Sequence, residues 1–218
     1  MAANKKRVGE IDKQTTRKVS REMYTPGQLV YQRALMDPRI PIVIVTGPAG
    51  SGKTLLASTI GARHVADGRF AKMVITRPSV SVDEQHGFLP GDLNKKMEPW
   101  MRPITESVHK SNKKPPIEVC PLGFMRGRTF DTSWIIADEM QNSTPNQMKM
   151  VMTRVGHGSK LVITGDPSQY DRGFDGNGLD DLIRRVNARV SEYIKHVELS
   201  EDDVRRSEVV KEVLRLYI

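Results

Sequence analysis

One cysteine, Cys120, stands among 218 residues, so no internal disulfide can form, and no Cys/His grouping has zinc-ligand spacing. Long apolar runs are also missing. Stretches such as Ile42–Val45 and Leu161–Ile163 are far too short to cross a bilayer. No N-terminal segment pairs a basic start with an apolar run, which leaves no expectation of a secretion signal. These absences predict a reducing, cytoplasmic setting with no membrane partner. Aromatic residues make up only 6% of the chain, too few for a broad base-stacking platform. Internal repeats and low-complexity tracts are absent as well.

Charge is plentiful and unbalanced. The formal net charge is +8, and much of the excess lies in residues 1–22. There Lys5, Lys6, Arg7, Lys13, Arg17, Lys18 and Arg21 face only Glu10, Asp12 and Glu22. That stretch is polar and carries no sustained apolar period, so it reads as a flexible basic tail. It serves either as a solvated surface or as an arm seeking nucleic-acid phosphates. Residues 23–218 fit a single domain with room for a sizeable core.

Within that domain short β-branched runs alternate with helical patterns. The runs Ile40–Thr46, Met73–Thr76, Trp134–Ala137, Lys160–Thr164 and Ile194–Leu199 predict strands, and their apolar-rich character in place of strict alternation suits burial on both faces. Thr54–Ala66, Pro145–Val155 and Gly178–Val190 predict helices. A last helix from about Val204 would place Val210, Leu214 and Tyr217 on one face. The expected class is α/β, a mostly parallel sheet with helices on both faces. The segment Pro78–Pro116 breaks the rhythm. It contains Gly87-Phe88-Leu89-Pro90-Gly91 and an amphipathic pattern around Asp92–Lys110, and an interruption of that length usually carries function.

The chemistry is concentrated at three strand ends. Gly47-Pro48-Ala49-Gly50-Ser51-Gly52-Lys53-Thr54 follows the first long strand and opens a helix, which is the setting of a phosphate-binding loop. Its glycines let consecutive N–H groups wrap phosphates, Lys53 reaches the β- and γ-phosphates, and Thr54 offers a hydroxyl to Mg²⁺. The strand Trp134–Ala137 ends in Asp138-Glu139. Asp138 suits Mg²⁺ held through water, and Glu139 suits the base that takes a proton from an attacking water. A third strand ends in Gly165-Asp166-Pro167-Ser168-Gln169. This is either plain turn chemistry or a sensor in which Gln169 meets the γ-phosphate or the water.

These motifs and their order resemble the PhoH family, whose P-loop domain is RecA-like and related to superfamily 1 helicases. The resemblance spans roughly residues 23–217. It also uses Thr25-Pro26-Gly27-Gln28, Thr76-Arg77-Pro78, Arg126-Gly127-Arg128-Thr129-Phe130, Asp138-Glu139-Met140-Gln141-Asn142 and Asp203-Val204-Arg205-Arg206. It implies that Gln28 reads the adenine edge, that Arg206 approaches the γ-phosphate, and that Arg77 meets a nucleic-acid backbone. Gly27 departs from the asparagine that many members carry before the adenine-reading glutamine. The resemblance also points to a ring, with a hexamer expected; since one such domain leaves one side of the γ-phosphate open, Arg126, Arg128 and Arg206 are candidates for an arginine supplied across a subunit boundary.

The function expected is Mg²⁺-dependent ATP hydrolysis coupled to single-stranded nucleic acid, RNA foremost, with helicase activity as one form. The alternative is an ATP-dependent switch that acts through protein partners without nucleic acid. A phosphoryl-transferring kinase shares the phosphate loop, but Glu139 beside Asp138 favours water as the acceptor.

Overall fold

The computed structural model describes residues 24–78, 104, 115–170, 176–205, 209 and 212. The basic tail, nearly all of 79–114 and most of the final helix pattern, including Arg206, lie outside the described residues. Val209 and Glu212 are helical, in agreement with the pattern expected there.

Six strands form one sheet: β1 (Ile42–Thr46), β2 (Lys72–Thr76), β3 (Ile117–Val119), β4 (Ser133–Ala137), β5 (Lys160–Gly165) and β6 (Ile194–Glu198). Their spatial order is β3-β2-β4-β5-β1-β6, and every described pairing is parallel. In β4 and β5 every residue is buried, as apolar-rich strands covered on both faces require, and the polar Ser133, Lys160 and Thr164 are buried with them. β1 starts two residues later than its apolar run. Pro41 has no N–H for a ladder, and Ile40 N–H instead closes a turn onto Asp37 O at 3.3 Å. β3 had no sequence counterpart. It is a three-residue, half-buried edge strand pairing only with β2.

Helices α1 (Pro26–Met36) and α2 (Lys53–Ala66) cover one face; α3 (Pro145–Met152) and α4 (Gly178–Asn187) cover the other. α1 and α3 begin alike. Thr25 and Thr144 cap the first turn, Pro26 and Pro145 occupy the first helical position, and Gln28 and Gln147 complete reciprocal capping boxes. α1 then buries Gln28, Tyr31, Ala34 and Leu35 at helical spacing. α4 is capped by Asn177, with Asp180 and Asp181 in its first turn and Arg184 and Arg185 in its last. This order complements the helix dipole. α3 and α4 stop three residues before their patterns do. Trp134, the largest fully buried side chain, ties β4 to α2 by donating to Ala57 O at 3.1 Å.

The other end of α1 is closed by a buried cation. Lys160 opens β5, is 4% exposed, and donates to Ala34 O, Leu35 O and Asp37 O at 3.0, 2.7 and 2.8 Å. Ala34 O and Leu35 O are carbonyls that the end of a helix leaves without partners, whereas Asp37 O also accepts from Ile40 N. Burial draws the Lys160 pKa down to about 8, opposed by the charge of Asp37. Lys160→Met fills the same volume but leaves the Ala34 and Leu35 carbonyls unpaired. It is expected to lower unfolding stability by about 3 kcal/mol, measured by urea denaturation at pH 7.

Candidate nucleotide site

Everything placed at the expected site lies at the carboxyl edge of the sheet, where parallel α/β folds bind ligands. Residues 47–52 turn from β1 into α2. Gly47, Gly50 and Gly52 have φ of 143°, 87° and 91°, which side-chain-bearing residues rarely adopt. At Gly47 space is limiting too, since a Cβ there would lie 2.4 Å from Leu199 O. The loop therefore lies tight against the chain leaving β6, with Pro48, Ala49 and Ser51 between its glycines.

Lys53 lies folded across this loop. Its ammonium donates to Gly47 O at 2.6 Å and Pro48 O at 2.9 Å. Burial lowers its pKa, while Asp166, Glu139 and Asp138 pull the other way. A phosphate arriving here meets a cation already in place.

Thr54, one residue into α2, donates to Asp138 Oδ1 at 2.7 Å, and Thr164 of β5 donates to the same oxygen at 2.5 Å. The hydroxyl and carboxylate at the metal position are hard oxygen donors, which fit Mg²⁺. The described residues contain no group of three or more His, Cys, Asp or Glu able to cage a metal. Such a sparse set suits an ion that keeps several waters and takes ligands from phosphate.

Glu139 sits directly after this cluster in a left-handed conformation, φ 52°. That is uncommon for a residue with a side chain and typical of functional turns. Gln141 explains how its carboxylate is aimed. Gln141 Nε2 donates to Glu139 Oε2 at 2.6 Å, while its Oε1 accepts from Asp166 N at 3.2 Å. One amide thus joins the end of β4 to the end of β5. Asp166 shapes the following turn, accepting from Ser168 N and Oγ, and Gln169 stands exposed with its N–H on Asp166 O.

Gln28 lies against the loop but is 4% exposed, and both protons of its amide are engaged. Oε1 accepts from Thr25 N at 3.1 Å; Nε2 donates to Ser51 O at 2.9 Å and Asp203 O at 3.1 Å. Arg77 follows β2 and is half-buried. Arg128 is held within its own chain. It pairs with Glu118 at 2.5 Å, contacts Cys120 Sγ at 3.3 Å and lies 4.5 Å over the Phe130 ring. Arg126, two residues earlier, is exposed near the exposed Phe124. Arg206 lies outside the described residues, but Arg205 N–H reaches Gly50 O at 3.3 Å.

Two surface hollows of about 660 and 750 Å³ lie elsewhere, one beside Lys160 and one between α3 and α4. Sequence reasoning missed Gln141, Thr164 and Asp203 as participants. Gln141 had a signal in its place two residues after Glu139, whereas Asp203, though it opens the motif Asp203-Val204-Arg205-Arg206, had none that tied it to Thr25 and Gln28. With the aiming amide removed, Gln141→Ala is expected to lower ATP turnover about 10- to 100-fold while nucleotide affinity stays within about twofold, read from steady-state rates beside fluorescent-ADP titration.

Comparison with known proteins agrees with this geometry. The family described as PhoH-like protein matches residues 22–218. A PhoH-like protein of Bacillus subtilis (strain 168) is 39% identical over 204 residues, covering 88% of this chain and 62% of that protein. A PhoH-like protein of Synechocystis is 36% identical over 200 residues, covering 87% and 60%. Protein PhoH of Escherichia coli (strain K12) is 34% identical over 203 residues, covering 87% and 56%. The chain therefore spans between 56% and 62% of the length of these three relatives. Among solved structures, the large terminase from a thermophilic bacteriophage superposes with a TM-score of 0.57 at 12% identity, over 88% of this chain and 50% of the terminase. A second crystal form of that terminase, in complex with ADP, gives 0.55. The terminase likeness shows a shared RecA-like α/β fold, and the family match is carried by sequence along nearly the whole chain: this chain belongs to the PhoH family.

Proposed function

We propose that this chain hydrolyses ATP with Mg²⁺ and couples the cycle to single-stranded nucleic acid, RNA foremost, from within a homo-oligomeric ring. The observation that carries the catalytic half is the cluster Thr54–Asp138–Thr164 with Lys53 on one side and Glu139, held by Gln141, on the other. Lys53 exchanges its two loop carbonyls for β- and γ-phosphate oxygens. Glu139 accepts a proton from water as the water oxygen attacks the γ-phosphorus and ADP leaves. Thr54 and Asp138 would hold Mg²⁺, which would neutralise charge on the phosphate oxygens. That the similarly folded terminase was solved in complex with ADP is in keeping with nucleotide binding by this fold.

The nucleic-acid half rests on charge. The net charge is +8, the excess is concentrated in residues 1–22, and Arg77 stands at the strand end where a backbone would pass. Counterion release makes such binding salt-dependent. A cytoplasmic location fits, since among the described residues no helix is long and apolar enough to cross a membrane.

The ring half rests on the two arginines after β3. With Arg128 engaged by Glu118 and Cys120, Arg126 is the one available to a neighbouring subunit. An arginine supplied across an interface is worth about 10³–10⁵ in rate.

Glu139→Gln is expected to bind Mg²⁺-ATP with near-normal affinity and to lose at least about 100-fold in turnover. Loss of binding instead would remove Glu139 from the role of base. Measured beside it, wild-type ATPase should rise on adding single-stranded RNA, and the stimulation should fade with salt. No response to RNA or DNA would favour the protein-coupled switch. Mixing Arg126→Ala with Lys53→Ala chains should restore part of the turnover that each lacks alone, because a mixed interface unites an intact loop with an intact arginine. No recovery, from a species of monomer mass, would leave a self-contained ATPase.

A further inference from the structure

We infer that Thr25, Gln28 and Asp203 form a latch that sets the phosphate loop, making Gln28 a positioning residue with no part in reading the base. The inference rests on the nucleotide site proposed above and concerns how that site is held ready.

The latch joins parts of the chain far apart in sequence. Thr25 Oγ1 donates to Asp203 Oδ1 across 178 positions, Ser200 N donates to Asp203 Oδ2 at 2.8 Å, and Gln28 Nε2 donates to Asp203 O. Asp203 is 4% exposed. Burial would raise its pKa, but hydrogen bonds from Thr25, from the backbone of Ser200 and from Gly27 hold it below the ordinary carboxylate range. Gly27 allows the approach, since a Cβ there would lie 2.4 Å from Asp203 Oδ2. This accounts for a glycine at position 27.

The same amide grips the loop. Gln28 Nε2 donates to Ser51 O at 2.9 Å. In a planar trans peptide the C=O and the following N–H point in opposite directions. Holding the Ser51 carbonyl toward α1 therefore turns the Gly52 N–H the other way, toward the phosphate side. Arg205 N–H holds Gly50 O in the same manner from the other end of the latch. Reading adenine takes a free donor on the amide as well as an acceptor. Here Oε1 already accepts from Thr25 N and keeps one lone pair, but both protons of Nε2 are on carbonyls, so no donor is free. Exchanging them for a base would release the loop at the moment it must grip phosphate.

The test uses Gln28→Glu, which keeps an acceptor for Thr25 N but has no donor for Ser51 O, together with Thr25→Val and Thr25→Ser. Affinities for fluorescent ADP and GDP are measured for each full-length variant. Hydrogen exchange at residues 47–54 and 199–205 is measured in parallel. Gln28→Glu should weaken ADP and GDP by the same factor, roughly tenfold. Thr25→Val should act in the same direction, Thr25→Ser should restore affinity, and the two segments should exchange faster together. A change in the ADP-to-GDP ratio in Gln28→Glu but not in Thr25→Val would overturn the latch in favour of base reading. Unchanged affinity for both nucleotides would overturn it also. If the wild-type chain binds neither nucleotide, the ATPase reading fails on its own, and unaltered exchange in Gln28→Glu would still refute the latch.

Discussion

Asp138 Oδ1 accepts from Thr54 and from Thr164, and that shared oxygen fixes three elements at once: the end of β4, the start of α2 and the end of β5. A carboxylate 6% exposed is costly unless its oxygens are satisfied. The two threonines satisfy it, and in doing so they bring the phosphate loop to its distance from the hydrolytic strand. Between β1 and β4 lies β5, so the loop and the acidic pair are not on neighbouring strands. Thr164 bridges the gap. Without a polar residue at that point of β5, the two halves of the site would face each other across an apolar strand end.

What could be read from sequence follows from how local each constraint is. The phosphate loop is a contiguous run whose glycines answer to their own φ angles, so its pattern is visible without knowing any partner. Asp138-Glu139 is legible for the same reason, as a sharp polar break after a buried strand. β3 was not legible. Three half-buried residues hold their place by pairing with β2 and by the Lys72–Glu118 contact, and neither leaves a periodic signal. Asp203 was hidden by distance in the chain, since its partners Thr25 and Gln28 look like an ordinary capping box until the fold closes around them. Lys160 was hidden by its charge. A lysine at a strand start reads as a solvent-facing residue, and only the end of α1 arriving above it shows otherwise.

The arginines illustrate the limit of motif reading in another way. Arg126 and Arg128 are equivalent in the sequence, two residues apart around Gly127. The fold separates them by supplying Glu118 from β3, an element the sequence did not show. Glu118 also takes Lys72, so one carboxylate anchors two cations at this edge of the sheet. With Arg128 so occupied, the choice between the pair is made by a strand of three residues.

Two lysines with the same kind of partners show what distinguishes a structural cation from a working one. Lys160 donates to three carbonyls, and an ammonium has three donors, so nothing remains for a ligand to gain. Lys53 donates to two, both on a glycine-rich loop, and one proton remains. Burial lowers the pKa of both. Lys53, however, lies in the field of Asp166, Glu139 and Asp138, which keeps a cation favourable beside the phosphate position. Charge-assisted bonds to phosphate exceed those to neutral carbonyls by roughly twofold. In the proposed cycle Lys53 exchanges two carbonyls for phosphate oxygens, whereas Lys160 has no comparable exchange. Saturation of donors, more than burial or distance, separates the lysine that closes a helix from the one proposed to meet ATP.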